Sequence, residues 1–230
     1  MSQKPTQSLK DFLTKCQRDV HDPPLIDDDD MVSEAASLLM LDLGITEKNY
    51  KMHRVMVVSS PFKKCLETAV LVCQVFGVDS FYVHFGVGEN LINILQTGWD
   101  WGRIPLYLTS GEMHQFVNHK SRKGERRGKC KVRISGFLGN PMSAEDRGEI
   151  QRDITNRFAK SLDEIKGFLE KQGDHMICVA HHDAQTHFAR NYGEGYDVTN
   201  GQDCGFITFA MPSANCAWVT GRSRINFIPK

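Results

Sequence analysis

The sequence lacks any apolar run long enough to cross a membrane. Its longest, Ala69 to Val78, is interrupted by Gln74 and Gly77, far short of the ~18 residues that a span requires. It also lacks net charge. Lys+Arg and Asp+Glu both number 28, so nucleic acid or an acidic membrane exerts no overall pull, and any charge-based recognition must come from a local cluster. The seven cysteines (Cys16, Cys65, Cys73, Cys130, Cys178, Cys204, Cys216) include no C-x-x-C pair. An odd, scattered set of this kind points to reduced thiols rather than a disulfide framework. The opening "MSQKPTQSLKDFLTKCQRD" has no apolar secretory core, which makes the cytoplasm the expected compartment, with organellar import as the alternative raised by Lys4, Lys10 and Lys15.

What is present is ordinary for a globular protein: 230 residues, 40% hydrophobic and 24% charged, which suits one large α/β domain or two small ones, and the chain is read as one domain over residues 1–230. "DDDDMVSEAASLLMLDLG" starts with acids that favour a helix N-terminus and ends on Gly44, predicting a helix over roughly 30–43. The run Asp27 to Asp30 is read as solvated rather than metal-binding. "VMVVSSPFKKCLETAVLVC" (Val55 to Cys73) then reads as strand, tight turn and helix, with Pro61 suited to the first helical position. "DSFYVHFGVGENLINIL" gives a short strand, a bend at Gly86 and Gly88, and a helix start.

From about 99 to 142 the pattern breaks down apart from a helix-like patch near Gly111 to Asn118, and the stretch is read as an inserted irregular segment holding a basic loop over 119–133. That loop, "HKSRKGERRGKCKVR", carries nine basic groups, His119 included, against the single acid Glu125. Order returns with Ile150, Ile154, Phe158, Leu162, Ile165 and Leu169, whose three-and-four spacing marks a long amphipathic helix ending near Gly173. "HMICVAHHDA" supplies a strand that stops at His181, and "CGFITFAM" and "CAWVTGRSRINFI" two closing strands, capable of pairing antiparallel. Strands alternating with helices predict a three-layer α/β/α fold around a mostly parallel sheet.

In such sheets ligands sit beyond the carboxyl ends of the strands. One strand there delivers Ser59, Ser60 and Lys64, where amides at a helix start and a nearby ammonium suit a phosphate-like anion. Another delivers His181, His182 and Asp183. With His187 these histidines could be scored as zinc ligands, but neighbours on a strand end point to opposite sides, and no metal or cofactor is expected. Glu89, after the glycine bend, is a helix-start acid or a catalytic one.

These segments resemble the histidine phosphatase superfamily, the phosphoglycerate mutase-like proteins. "DPPLIDDDDMVSEA" is similar to D-P-P-L-T-x-x-G-x-x-Q-A, "SSPFKKCLETA" to S-S-P-x-x-R-C-x-Q-T-A, "VHFGVGENL" to V-E-P-G-L-x-E-W-L, and "ICVAHHDA" to V-V-S-H-G-D-A. The D-P-P-L start is closest to the branch of the ubiquitin-associated, SH3-bearing phosphatases. The resemblance implies a phosphoglycerate mutase-like fold, with Glu89 at the position of the catalytic acid and His181 at that of the second histidine. Ser60, Lys64 and His181 would line the phosphate pocket, Lys64 standing where the family has an arginine.

The family's nucleophile lies in an Arg-His-Gly motif on its first strand, and no Arg-His-Gly occurs in this sequence. His21 lacks the flanking Arg and Gly, so the first strand is missing or altered here, or belongs to residues preceding Met1. An ammonium at Lys64 also cannot offer the bidentate fork of a guanidinium. Covalent phosphoryl transfer needs an in-line nucleophile. The sequence therefore predicts a catalytically impaired pseudophosphatase that serves as a binding or scaffold subunit, binds a phosphate-like anion weakly, and contacts a protein partner through Arg122, Lys123, Arg126 and Arg127. The alternatives are an active phosphoester phosphatase and an RNA-associated protein using the basic loop, although that loop has no aromatics for stacking on bases. No membrane association is expected.

Overall fold

The computed structural model describes residues 29–46, 48–88, 107–126, 128–141, 151–172, 174–181, 184, 186–188, 196–213 and 216–229. In chain order the elements are α1 (Asp29–Asp42), β1 (Val55–Ser59), α2 (Lys63–Phe76), β2 (Ser80–His84), α3 (Ser110–Glu125), β3 (Arg133–Leu138), α4 (Gln151–Gln172), β4 (His175–Val179), β5 (Tyr196–Ser213) and β6 (Cys216–Pro229). Short 3-10 turns occupy Tyr50–Met52 and Phe85–Val87.

Strands β1 to β4 form one parallel sheet in the order β3-β2-β1-β4. Side chains alternate across it because successive residues of a strand face opposite ways. Val57, Phe81, Val83, Ile134 and Ile177 face one layer, where Val32, Ala36 and Leu39 of α1, Leu66, Ala69 and Cys73 of α2, and Met113, Phe116 and Val117 of α3 complete the larger core. Met56 and Val58, with Tyr82, Met176 and Cys178, face the other layer and pack on Ile165 and Phe168 of α4. The result is the expected three-layer α/β/α arrangement. Strands β5 and β6 pair antiparallel as a separate two-stranded sheet.

Helix boundaries follow local chemistry. α2 ends on Gly77, whose φ of 67° is left-handed, and its N–H caps the Cys73 carbonyl, the usual role of glycine at this position. Its start differs from the expected one. Phe62 is the N-cap and Lys63 the first helical residue, so Pro61 shapes the turn before the helix instead of opening it.

The irregular reading of 99–142 is corrected over its described part. Thr109 and Glu112 form a reciprocal capping box at the start of α3, which satisfies two end amides at once. The basic residues 119–125 continue that helix, and β3 follows from Arg133. Its inward positions past Val117 are polar or small yet still satisfied. Lys120 pairs with the buried Glu67, Ser121 Oγ accepts from Val132 N–H at 2.7 Å, and Gln74 lies against Gly124. Among the described residues no helix is long and apolar enough to cross a membrane.

Candidate functional site

The chain leaves β1 and β4 toward opposite sides of the sheet. After β1 it runs into α2 in the larger core; after β4, Ala184 and Phe188 pack with Ile154 and Phe158 of α4. Neighbouring parallel strands whose exits diverge in this way open a crevice at their carboxyl ends, and ligands of open α/β sheets bind in such crevices.

The turn after β1 is tightly held. Ser60 N–H extends the ladder to Val179 O at 2.8 Å, and Ser59 Oγ donates to Ser60 O at 2.9 Å. Phe62 N–H reaches Ser60 Oγ only at 3.5 Å. Ser59 and Ser60 are both fully buried, so Ser60 shapes the turn, and its amide is already engaged. Lys64, one residue further into α2 than the buried Lys63, is exposed.

His181 follows β4 on the other side of the crevice. Its ring meets Phe62 edge-on, with centroids 5.0 Å apart and planes at 81°. Burial, and then the Lys64 charge, push its pKa down to about 4. The ring is therefore neutral at neutral pH, and Lys64 lies close enough to influence it. Phe62 also meets Tyr107 edge-on at 5.3 Å. Gly88 packs beside both rings, a Cβ there lying 3.3 Å from Phe62 and 3.4 Å from the Tyr107 hydroxyl. The glycine bend thus reaches the same crevice, while Glu89 itself lies outside the described residues.

The structure accordingly places Ser60 and Lys64 on the β1 side of the crevice and His181 on the β4 side, with Lys64 near enough to act on the His181 ring. His182, Asp183 and Arg127 lie outside the described residues. His187 packs on Phe158 at 5.5 Å, and among the described residues no three His, Cys, Asp or Glu side chains gather as a metal site. Arg122, Lys123 and Arg126 are exposed at the end of α3, away from this crevice in the chain and in the sheet order, as β3 is the far edge strand. Cations in a last helical turn also offset the negative end of the helix dipole, which supplies a local reason for part of the cluster.

Sequence reasoning overlooked a polar network at the end of β2. His84 is 1% exposed; its Nδ1 accepts from Gly86 N–H at 3.0 Å, and its Nε2 lies 3.2 Å from Glu164 Oε2. Arg157 Nη1 donates to the carbonyls of Gly86 at 2.7 Å and Gly88 at 3.1 Å. This network fixes the bend leading to Glu89. A histidine closing an apolar strand was its only sequence signal.

No family model matches the chain, and no curated protein does so closely.

Proposed function

We propose that the chain is a histidine-phosphatase-like protein without phosphatase turnover, a binding subunit that retains a weak pocket for phosphate-like anions. The observation that carries this reading is the convergence of Lys64, His181 and the start of α2 at the crevice between β1 and β4. An ammonium, helix-start amides and a histidine that can take up a proton are complementary to a tetrahedral oxyanion. The weakness follows from the same residues: Lys64 is a point charge rather than a fork, His181 is neutral at neutral pH, and the Ser60 amide is committed to Val179.

The absence of turnover rests on sequence, which contains no Arg-His-Gly. Partner contact is assigned to the exposed face of Arg122, Lys123 and Arg126, with an acidic protein surface as its complement.

The test is hydrolysis of a generic aryl phosphate from pH 5 to 8 by the parent and by the Glu89→Gln, His181→Ala double variant. Equal, background-level rates are expected. Parent activity that the variant loses would overturn the reading in favour of an active phosphatase.

A further inference from the structure

At the opposite, amino end of the sheet, two histidines face each other through their ring nitrogens. His53 precedes β1, and His175 is the first residue of β4, paired in register with Val55. His53 Nδ1 and His175 Nε2 are 3.0 Å apart, with ring centroids at 5.1 Å and planes at 44°. Both rings are half-buried. The backbone behind them is anchored by Arg54, whose N–H and guanidinium both bind Asp174 at 3.0 Å. Asp174 N–H in turn donates to Arg54 O at 2.8 Å.

Two neutral imidazoles at this separation share one proton, one nitrogen donating and the other accepting. A cation off the line between the nitrogens fits the same separation once the donating ring carries its proton on its other nitrogen, so that both facing nitrogens present lone pairs. Metal–imidazole bonds of about 2.0–2.1 Å meeting at roughly 90–110° set the two nitrogens about 2.8–3.4 Å apart. Neutral imidazole is the form that binds metal.

We propose that His53 and His175 form an open, two-nitrogen site for a divalent late first-row transition cation, at the amino end of the sheet, remote from the anion crevice. Among the described residues no third side chain closes the site, so water or an exogenous ligand fills the remaining positions. Hard cations that demand oxygen ligands are excluded by the donor set. The site also has a structural consequence, because a bound cation ties the segment before β1 to the start of β4.

The experiment is calorimetric titration of the full, tag-free chain with Ni²⁺, repeated with Mg²⁺. One Ni²⁺ step is expected that weakens at least tenfold in both His53→Ala and His175→Ala, with no Mg²⁺ step. Because either alanine could loosen the fold, Cu²⁺ spin resonance of the unaltered parent gives a second readout, with two coordinating nitrogens expected. Parent-like Ni²⁺ affinity in either folded variant, or a Cu²⁺ signal without nitrogen coupling, would refute the site.

Discussion

His84 and Glu164 meet at the carboxyl end of β2, Nε2 to Oε2 at 3.2 Å, with the histidine buried and the glutamate partly exposed. Because Nδ1 accepts the Gly86 N–H, the ring's proton must sit on Nε2 and be donated to Glu164. A second proton on Nδ1 would turn that accepted bond into a clash between two donors.

Removing the His84 ring should therefore be costly. His84→Ala leaves the Gly86 amide without its acceptor and empties a fully packed position, together worth about 2–4 kcal/mol. Urea unfolding of the variant against the parent measures it. Burial holds the His84 pKa below its ordinary value, against the opposing pull of Glu164. The folded state thus binds fewer protons than the unfolded one, and stability falls as pH drops below the ordinary value of about 6.5. The alanine variant should show a flatter stability profile below that pH; an unchanged slope would mean that His84 keeps an ordinary pKa.

How far the sequence disclosed this arrangement depended on whether a residue's role left a periodic trace. β1, α2, α4 and β4 were legible because apolar residues fill their core positions at the spacing of a strand or helix. α3 lost its trace midway, where its inward face passes from Met113, Phe116 and Val117 to Lys120, Ser121 and Gly124. These are satisfied by Glu67, Val132 and Gln74, partners distant in sequence that no local pattern announces. Charge density then made 119–133 read as a loop, although the capping box Thr109-Ser110-Gly111-Glu112 marked a helix start. Ser60 and Lys64 were legible as a strand-end pair, but not that Ser60 is sealed into its turn, because its partner Val179 comes from β4.

His181 should make anion binding depend on pH. With a free-protein pKa of about 4, it takes up a proton more readily once an anion sits beside it, so affinity rises as pH falls from neutrality toward 4. Sulfate suits the test because its own charge stays constant over this range. Thermal shifts with sulfate should grow from pH 7.5 to pH 5 in the parent, stay constant with pH in His181→Ala, and shrink at every pH in Lys64→Ala. Equal shifts in the parent and Lys64→Ala would show that the crevice binds no anion. Without ligand, the same depressed pKa removes up to about 3 kcal/mol of stability between pH 6.5 and pH 4.

The basic end of α3 can be read through His119. Burial first, and then the charges of Lys123, Arg122 and Arg126, hold its pKa below the ordinary value. Replacing these three with Ser should raise the His119 pKa in an NMR titration, while the remaining burial keeps it below ordinary. Loss of last-turn cations should also cost about 0.3–1 kcal/mol each. An unmoved His119 would mean that the three charges are directed away from it. Recovery of a lysate partner by the parent alone would support the docking role, and loss of that partner on nuclease treatment would shift the reading to RNA.

The bend before Glu89 offers the sharpest steric test. Gly86 approaches α4 so closely that a methyl group built there would overlap Ser161 Oγ, and this hydroxyl is held in place by donating to Arg157 O at 2.7 Å. The Arg157 guanidinium in turn binds the Gly86 carbonyl, so the bend cannot swing away without breaking an ionic hydrogen bond. Gly86→Ala should therefore destabilise the protein by about 2–4 kcal/mol through overpacking and the lost Arg157 contact. Ser161→Ala alone removes a local hydrogen bond and should cost about 1 kcal/mol. In the double variant the clash with Oγ is gone, although Ser161 Cβ still lies 3.1 Å from the added methyl. The recovery should accordingly be partial, with the pair more stable than the sum of the single losses by about 1–2 kcal/mol, as residues in direct contact couple. Strict additivity in the denaturation cycle would mean that the bend and α4 do not touch in solution, and the path from β2 to Glu89 would have to be redrawn.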